Sequence, residues 1–136
     1  MAKYEGYMFA FMNITKALAD ENRVRILMAL HGRDALCVCQ LIDMLQLAPS
    51  TVSKHLSVLK NARLVDNRKI GRWIYYRLVG EGGLQEAQAA LSWTLQSVQH
   101  ESRIKADALR LEEILQIDPE VLCSRQAKSG ECRDNE

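Results

Sequence analysis

The hydrophobic period of the chain changes after Leu64. Over residues 49–62, Val52, Leu56 and Leu59 recur at helical spacing. Pro49 stands at the head of that run, where its missing N–H has no helical partner to lose. Beyond Leu64, Val65-Asp66-Asn67-Arg68 and Trp73-Ile74-Tyr75-Tyr76-Arg77-Leu78 read as two strands. Lys69-Ile70-Gly71-Arg72 forms the turn between them, with Gly71 able to supply a positive φ. A helix that feeds directly into a hairpin leaves few architectures open.

The residues upstream narrow the choice. A short helix over about 38–46 carries Leu41, Ile42 and Leu45, and Gln46-Leu47-Ala48 makes a tight turn into Pro49. Two short helices joined by a tight turn and followed by a hairpin make a winged helix-turn-helix. Further upstream, residues 4–19 read as an amphipathic helix through Tyr7, Phe11, Ile14 and Leu18. Asp20 is an N-cap candidate for a second helix with Val24, Ile26, Leu27 and Leu30, which His31-Gly32 ends. After the glycines at 80, 82 and 83, one long helix is expected over about 84–116, stopped at Asp118-Pro119. The expected order is ααααββα, mainly α with a small β-hairpin. Residues 1–117 form one domain, and 118–136 a polar, flexible tail.

Charge points to the partner. Residues 49–77 hold seven basic residues against Asp66 alone, while the rest of the chain is acidic in balance and the total is only +1. A compact basic segment in an otherwise acidic protein suggests a face for a polyanion. On the 49–60 helix, Ser50, Thr51 and Ser53 offer short hydroxyls, and Lys54, His55 and Lys60 reach further. Lys69 and Arg72 lie at the hairpin tip. Together these eight residues form a candidate contact set for double-stranded DNA. No run approaches a membrane span, and Glu5, Asn13 and Lys16 interrupt the apolar N-terminus, so no signal peptide is read. The expected location is the cytoplasm, where the four cysteines are reduced thiols. No nucleophile–base pair or phosphate-binding glycine loop is present, which argues against an enzyme, and no cofactor is required.

The stretch LCVCQLIDMLQLAPSTVSKHLSVLKNARLVDNRKIGRWIYYRL, about 36–78, resembles the core of ArsR/SmtB-family transcriptional repressors. The order of elements on both sides is similar too. The resemblance implies a homodimer through the first and last long helices, with 49–60 as recognition helix. It also implies repression of a metal or metalloid resistance operon, relieved by an inducer. The family usually has glycine where this chain has Arg63, which costs about 1 kcal/mol if a left-handed conformation is kept there. Cys37-Val38-Cys39 resembles the arsenite-sensing site of the arsenic-responsive type, and trivalent arsenic and antimony are thiophilic.

The familiar arsenite pattern has a third cysteine where this chain has Ile42. The third ligand is then Cys123, Cys132, a small thiol or nothing, and two thiols suffice for a monomethylated trivalent arsenical. Residues i and i+2 of an ideal helix point roughly 200° apart. Both sulfurs are therefore expected to meet on one atom only if the helix start is frayed or distorted, and distortion there is a movement the recognition helix would feel. Two alternatives stay open: a cadmium, lead or zinc sensor using the same thiols with others, and a repressor switched by oxidation of Cys37 and Cys39. His100 has no partner at the spacing of the family's zinc sites.

Overall fold

The computed structural model describes residues 3–127. Their order is α1 (Lys3–Leu18), α2 (Glu21–Leu30), β1 (Leu36–Cys37), α3 (Val38–Leu45), α4 (Pro49–Asn61), β2 (Val65–Ile70), β3 (Trp73–Leu78), α5 (Gln85–Val98), α6 (Ser102–Ile114) and α7 (Pro119–Ala127). The expected helix-turn-helix is α3–α4 and the wing is β2–β3. The fold is a winged helix-turn-helix with additional helices at its C-terminal side.

Local chemistry accounts for most boundaries. Asp20 caps α2, its Oδ1 accepting from the N–H groups of Asn22 and Arg23 at 2.8 and 3.2 Å. Pro49 opens α4. The C-terminus of α4 closes in a Schellman motif: Arg63 N–H donates to Lys60 O at 2.9 Å and Leu64 N–H to Leu59 O at 3.1 Å. Arg63 holds φ +61, so the left-handed conformation usual for glycine is kept. The wing turns at Gly71, φ +63, between Ile70 and its partner Trp73. Strand β2 thus runs two residues further than the sequence suggests. Lys69 lies on the strand and Arg72 alone of the two cations is in the turn.

A third strand was not expected. Leu36 and Cys37 pair antiparallel with Tyr76 and Tyr75, giving sheet order β1-β3-β2. The core fills the space between this sheet and the helices. Ile26, Leu27, Leu30, Leu36, Leu41, Met44, Leu56, Leu59, Leu64, Leu111, Ile114 and Leu122 are its fully buried large side chains.

Two expectations are corrected at the C-terminal side. The long helix over 84–116 is two helices, broken at Gln99–Glu101, with Glu101 extended at φ −66, ψ 141. Thr94 and Ser97 back-bond to Ala90 O and Trp93 O just before the break, a pattern that bends helices. The break places α6 against α2 and α3. It buries Leu111 and Ile114, and it brings Asp107 onto Arg25. The bidentate contact runs from Arg25 Nε and Nη2 to Asp107 at 2.8 and 2.9 Å, with both side chains about nine-tenths buried. Asn22 Oδ1 accepts a third bond from the same guanidinium. The other correction concerns the tail 118–136, whose first part is helix α7. Asp118 caps it, accepting from Glu120 N–H at 2.9 Å, and Pro119 suits its first position. Burial of Leu122 and Cys123 against the core holds it in place.

The apolar residues of α1 divide. Ile14 and Ala17 enter the core, but Tyr7 and Phe11 of the expected stripe are exposed, as are Met8, Phe9 and Met12.

Candidate nucleic-acid interface and thiol site

On α4 the buried stripe Val52, Leu56 and Leu59 turns the opposite side outward. Ser50, Thr51, Ser53, Lys54 and Lys60 are all exposed. Ser50, Ser53, Lys54 and Ser57 fall at i, i+3, i+4 and i+7, so they share one face. Ser57 was not singled out in the sequence, though the same spacing points to it. His55 is half-buried on the flank, and its Nδ1 lies 3.1 Å from Arg23 Nη1. Since the guanidinium can only donate, Nδ1 is the acceptor and the ring proton sits on Nε2. Arg23 also donates to Ala17 O at 2.9 Å and Lys16 O at 3.1 Å. It therefore ties the recognition helix to the C-terminus of α1, a role no sequence motif announces. Lys69 is exposed on β2. Arg72 is exposed at the wing tip, lies over the Trp73 ring at 5.0 Å and pairs with Glu120 of α7.

The cysteine pair is already assembled. Cys37 and Cys39 Sγ atoms are 3.0 Å apart, and both residues are fully buried. The expected condition, a frayed or distorted helix start, is met in the first form, because Cys37 lies outside the helix. It is the N-cap of α3, extended at φ −71, ψ 148 and still paired to β3. The 200° argument applies to two residues inside one helix, and here the chain turns between them. Gln40 at the third helical position reaches back, its Oε1 accepting from Cys37 N–H at 2.8 Å.

These surroundings divide the two thiols electrostatically. Cys37 is pushed below the ordinary thiol value, chiefly by the bond it accepts from the Cys39 S–H. Burial opposes this, and the backbone N–H groups of Cys39, Gln40 and Val38 at the helix start add to it. Cys39 is driven up, first because it holds the proton shared with Cys37 and then by burial. Tyr75 on β3 is raised by burial, then by the neighbouring charges of both cysteines. The first proton of the pair is thus the one at Cys37, and loss of the second is opposed.

Helix α7 packs on α3 and meets Cys39. Cys39 Sγ contacts Pro119 O at 3.8 Å, and Gln126 Nε2 donates to Cys39 O at 2.9 Å. Cys123 lies on the buried side of this helix and is disulfide-bonded, against the expectation of four reduced thiols. Cys132 lies outside the described residues. Among the described residues, no group of three or more His, Cys, Asp or Glu side chains stands ready to hold a metal ion. His31 and His100 are exposed at helix ends. No described helix is long and apolar enough to cross a membrane.

Fold and exposed face define a winged helix-turn-helix DNA-binding regulator. Residues 20–67 match the family model described as bacterial regulatory protein, arsR family. The arsenic resistance transcriptional regulator ArsR1 of Pseudomonas putida is 35% identical over 101 residues, covering 74% of this chain and 77% of that one. The cadmium resistance transcriptional regulatory protein CadC of Listeria innocua is 43% identical over 61 residues, 45% of this chain and 51% of that one. Among solved structures, HlyU from Vibrio cholerae N16961 superposes with a TM-score of 0.58 at 28% identity, covering 74% of this chain and 100% of that one. The chain belongs to the ArsR family of transcriptional repressors, which bind DNA and are not enzymes.

Proposed function

We propose that this repressor binds operator DNA as a homodimer and is released when trivalent arsenic or antimony engages Cys37 and Cys39. The observation that carries the reading is the buried pair of sulfurs 3.0 Å apart at the junction of wing and reading head. Cys37 belongs at once to the strand that pairs with β3 and to the cap of α3. Any displacement of its sulfur is transmitted to the wing through Tyr75 and to α4 through α3. Arsenite exchanges two hydroxyls for the two cysteine sulfurs, the thiol protons leaving with those hydroxyls as two waters, and keeps its third hydroxyl. A monomethylated trivalent arsenical uses both of its exchangeable positions. The arsenic resistance of the Pseudomonas putida relative supports this choice.

DNA contacts in this reading come from Ser50, Thr51, Ser53, Lys54, His55 and Lys60 on α4, and from Lys69 and Arg72 on the wing. His55 presents an Nε2–H donor. Dimerisation in the cytoplasm through α1 and α5 accounts for the exposed Tyr7, Phe9, Phe11 and Trp93, since apolar patches of this kind mark partner surfaces. Full release asks for about 5.5 kcal/mol of differential affinity, more than the 1–3 kcal/mol of a typical allosteric coupling.

Fluorescence anisotropy on DNA from upstream of the chain's own gene tests the reading. Arsenite, a methylated trivalent arsenical, cadmium and zinc are titrated in turn. Release by an arsenical at near-stoichiometric levels, lost in Cys37→Ser, is the expected result; normal release in that variant removes the site. The short sulfur–sulfur distance also favours a second reading, in which peroxide oxidises the two thiols to a disulfide. Release by peroxide with no response to arsenite selects it. Zinc would want four ligands, and among the described residues the free thiols Cys37 and Cys39 supply two.

A further inference from the structure

Helix α7 touches both functional regions of the molecule. At its first turn, Pro119 O lies 3.8 Å from Cys39 Sγ, and at its last, Gln126 Nε2 donates to Cys39 O. Leu122 between them is fully buried. Together they pack α7 against Cys39. One residue after Pro119, Glu120 pairs with Arg72 at the wing tip. Its backbone is fixed by the Asp118 cap, so the carboxylate is presented toward the wing rather than arriving there on a free side chain. Both partners of the pair are more than half exposed, at 58% and 61%. The ion pair is therefore weak, and a phosphate can displace it.

We propose that α7 is a latch. Closed, it seals Cys37 and Cys39 and occupies Arg72 with Glu120, so that operator phosphate and Glu120 compete for the same guanidinium. This rests on the reading above in which Arg72 contacts DNA. Coupling follows in both directions. DNA that takes Arg72 loosens α7 and exposes the thiols. A ligand on Cys39 that holds α7 closed keeps Arg72 engaged and opposes DNA. The latch gives the thiol site a second route to the wing, besides the one through β1 and α3.

Glu120→Gln, Arg72→Ala and the double variant test it in the full chain. Operator affinity is measured by anisotropy at two salt concentrations. Alkylation of Cys37 and Cys39 by iodoacetamide, without DNA, is followed by peptide mass. Glu120→Gln should bind operator about 2–5-fold more tightly, as expected for loss of an exposed pair, and alkylate faster by a similar factor. In the Arg72→Ala background, Glu120→Gln should change neither quantity. Equal tightening in that background would mean that Glu120 merely repels DNA at long range, and the latch is wrong. Weaker binding by Arg72→Ala with no effect of Glu120→Gln keeps the wing contact and overturns the latch. If Arg72→Ala binds DNA normally, the wing contact fails instead; alkylation then judges the latch, and an unchanged rate in Glu120→Gln overturns it.

Discussion

Replacing Arg63 by glycine should stabilise the protein, and the amount follows from the backbone. Arg63 sits at φ +61 with both Schellman hydrogen bonds formed at 2.9 and 3.1 Å. A left-handed conformation costs a residue with a Cβ about 1–2 kcal/mol. Glycine removes that strain but gains freedom in the unfolded chain, which takes back about 0.4–1 kcal/mol. The net gain expected is about 0.5–1 kcal/mol. The side chain of Arg63 is exposed, so Arg63→Ala serves as the reference: it keeps the Cβ and removes the guanidinium. Urea unfolding is followed by tryptophan fluorescence at one fixed protein concentration, because dimerisation would add to apparent stability. Arg63→Gly should exceed Arg63→Ala in midpoint with an unchanged slope. Gln46, at φ +57, is a second left-handed helix end. There the side chain donates to Asp43 O at 2.7 Å, so Gln46→Gly should gain less. If Arg63→Gly is no more stable than Arg63→Ala, the Cβ strain assigned to this position is wrong.

Other expectations follow from the buried groups and the exposed face. Asp107→Ala strands the buried guanidinium of Arg25, and should destabilise by about 3–5 kcal/mol in the same urea assay; a loss under 1 kcal/mol would show that the pair adds little. Lys54→Ala should reduce the salt slope of operator binding by about 0.9 if Lys54 meets one phosphate, and an unchanged slope takes it off the interface. Cys37 should alkylate before Cys39 as pH rises, since its folded value lies below the unfolded one. For the same reason its own contribution to stability fades as pH falls through its folded value, while the raised value of Cys39 costs stability as pH rises through the unfolded thiol value. Cys37→Ser should flatten that part of the pH–stability curve, and equal alkylation of the two thiols would contradict the division of charge.

Much of the DNA-reading head was legible because its signals are local. Pro49, the Val52–Leu56–Leu59 stripe and Gly71 each act within a few residues, and each lies where the reading placed it. The C-terminal half was less legible. The break at Gln99–Glu101 carries no glycine or proline, and helical periodicity runs through it. Asp118-Pro119 reads equally well as the stop of one helix and the cap of the next; only contact of Leu122 with the core shows that a helix continues. The thiol site was legible as a pair that needs an open helix start, but not the pairing of Cys37 with Tyr75 that holds it open, since that bond joins distant segments.

By itself the sequence determined the local elements, the concentration of positive charge over residues 49–77 and the presence of two thiols at positions 37 and 39. These depend on hydrogen bonds, rotamers and charges that neighbours along the chain supply. Only the tertiary structure decided that Arg25 meets Asp107, that Arg23 meets His55, and that α7 packs against Cys39 with Glu120 on Arg72. Those pairings join residues 82, 32 and 48 positions apart. No local preference encodes them, because each exists only once burial of the shared core has brought the two segments together.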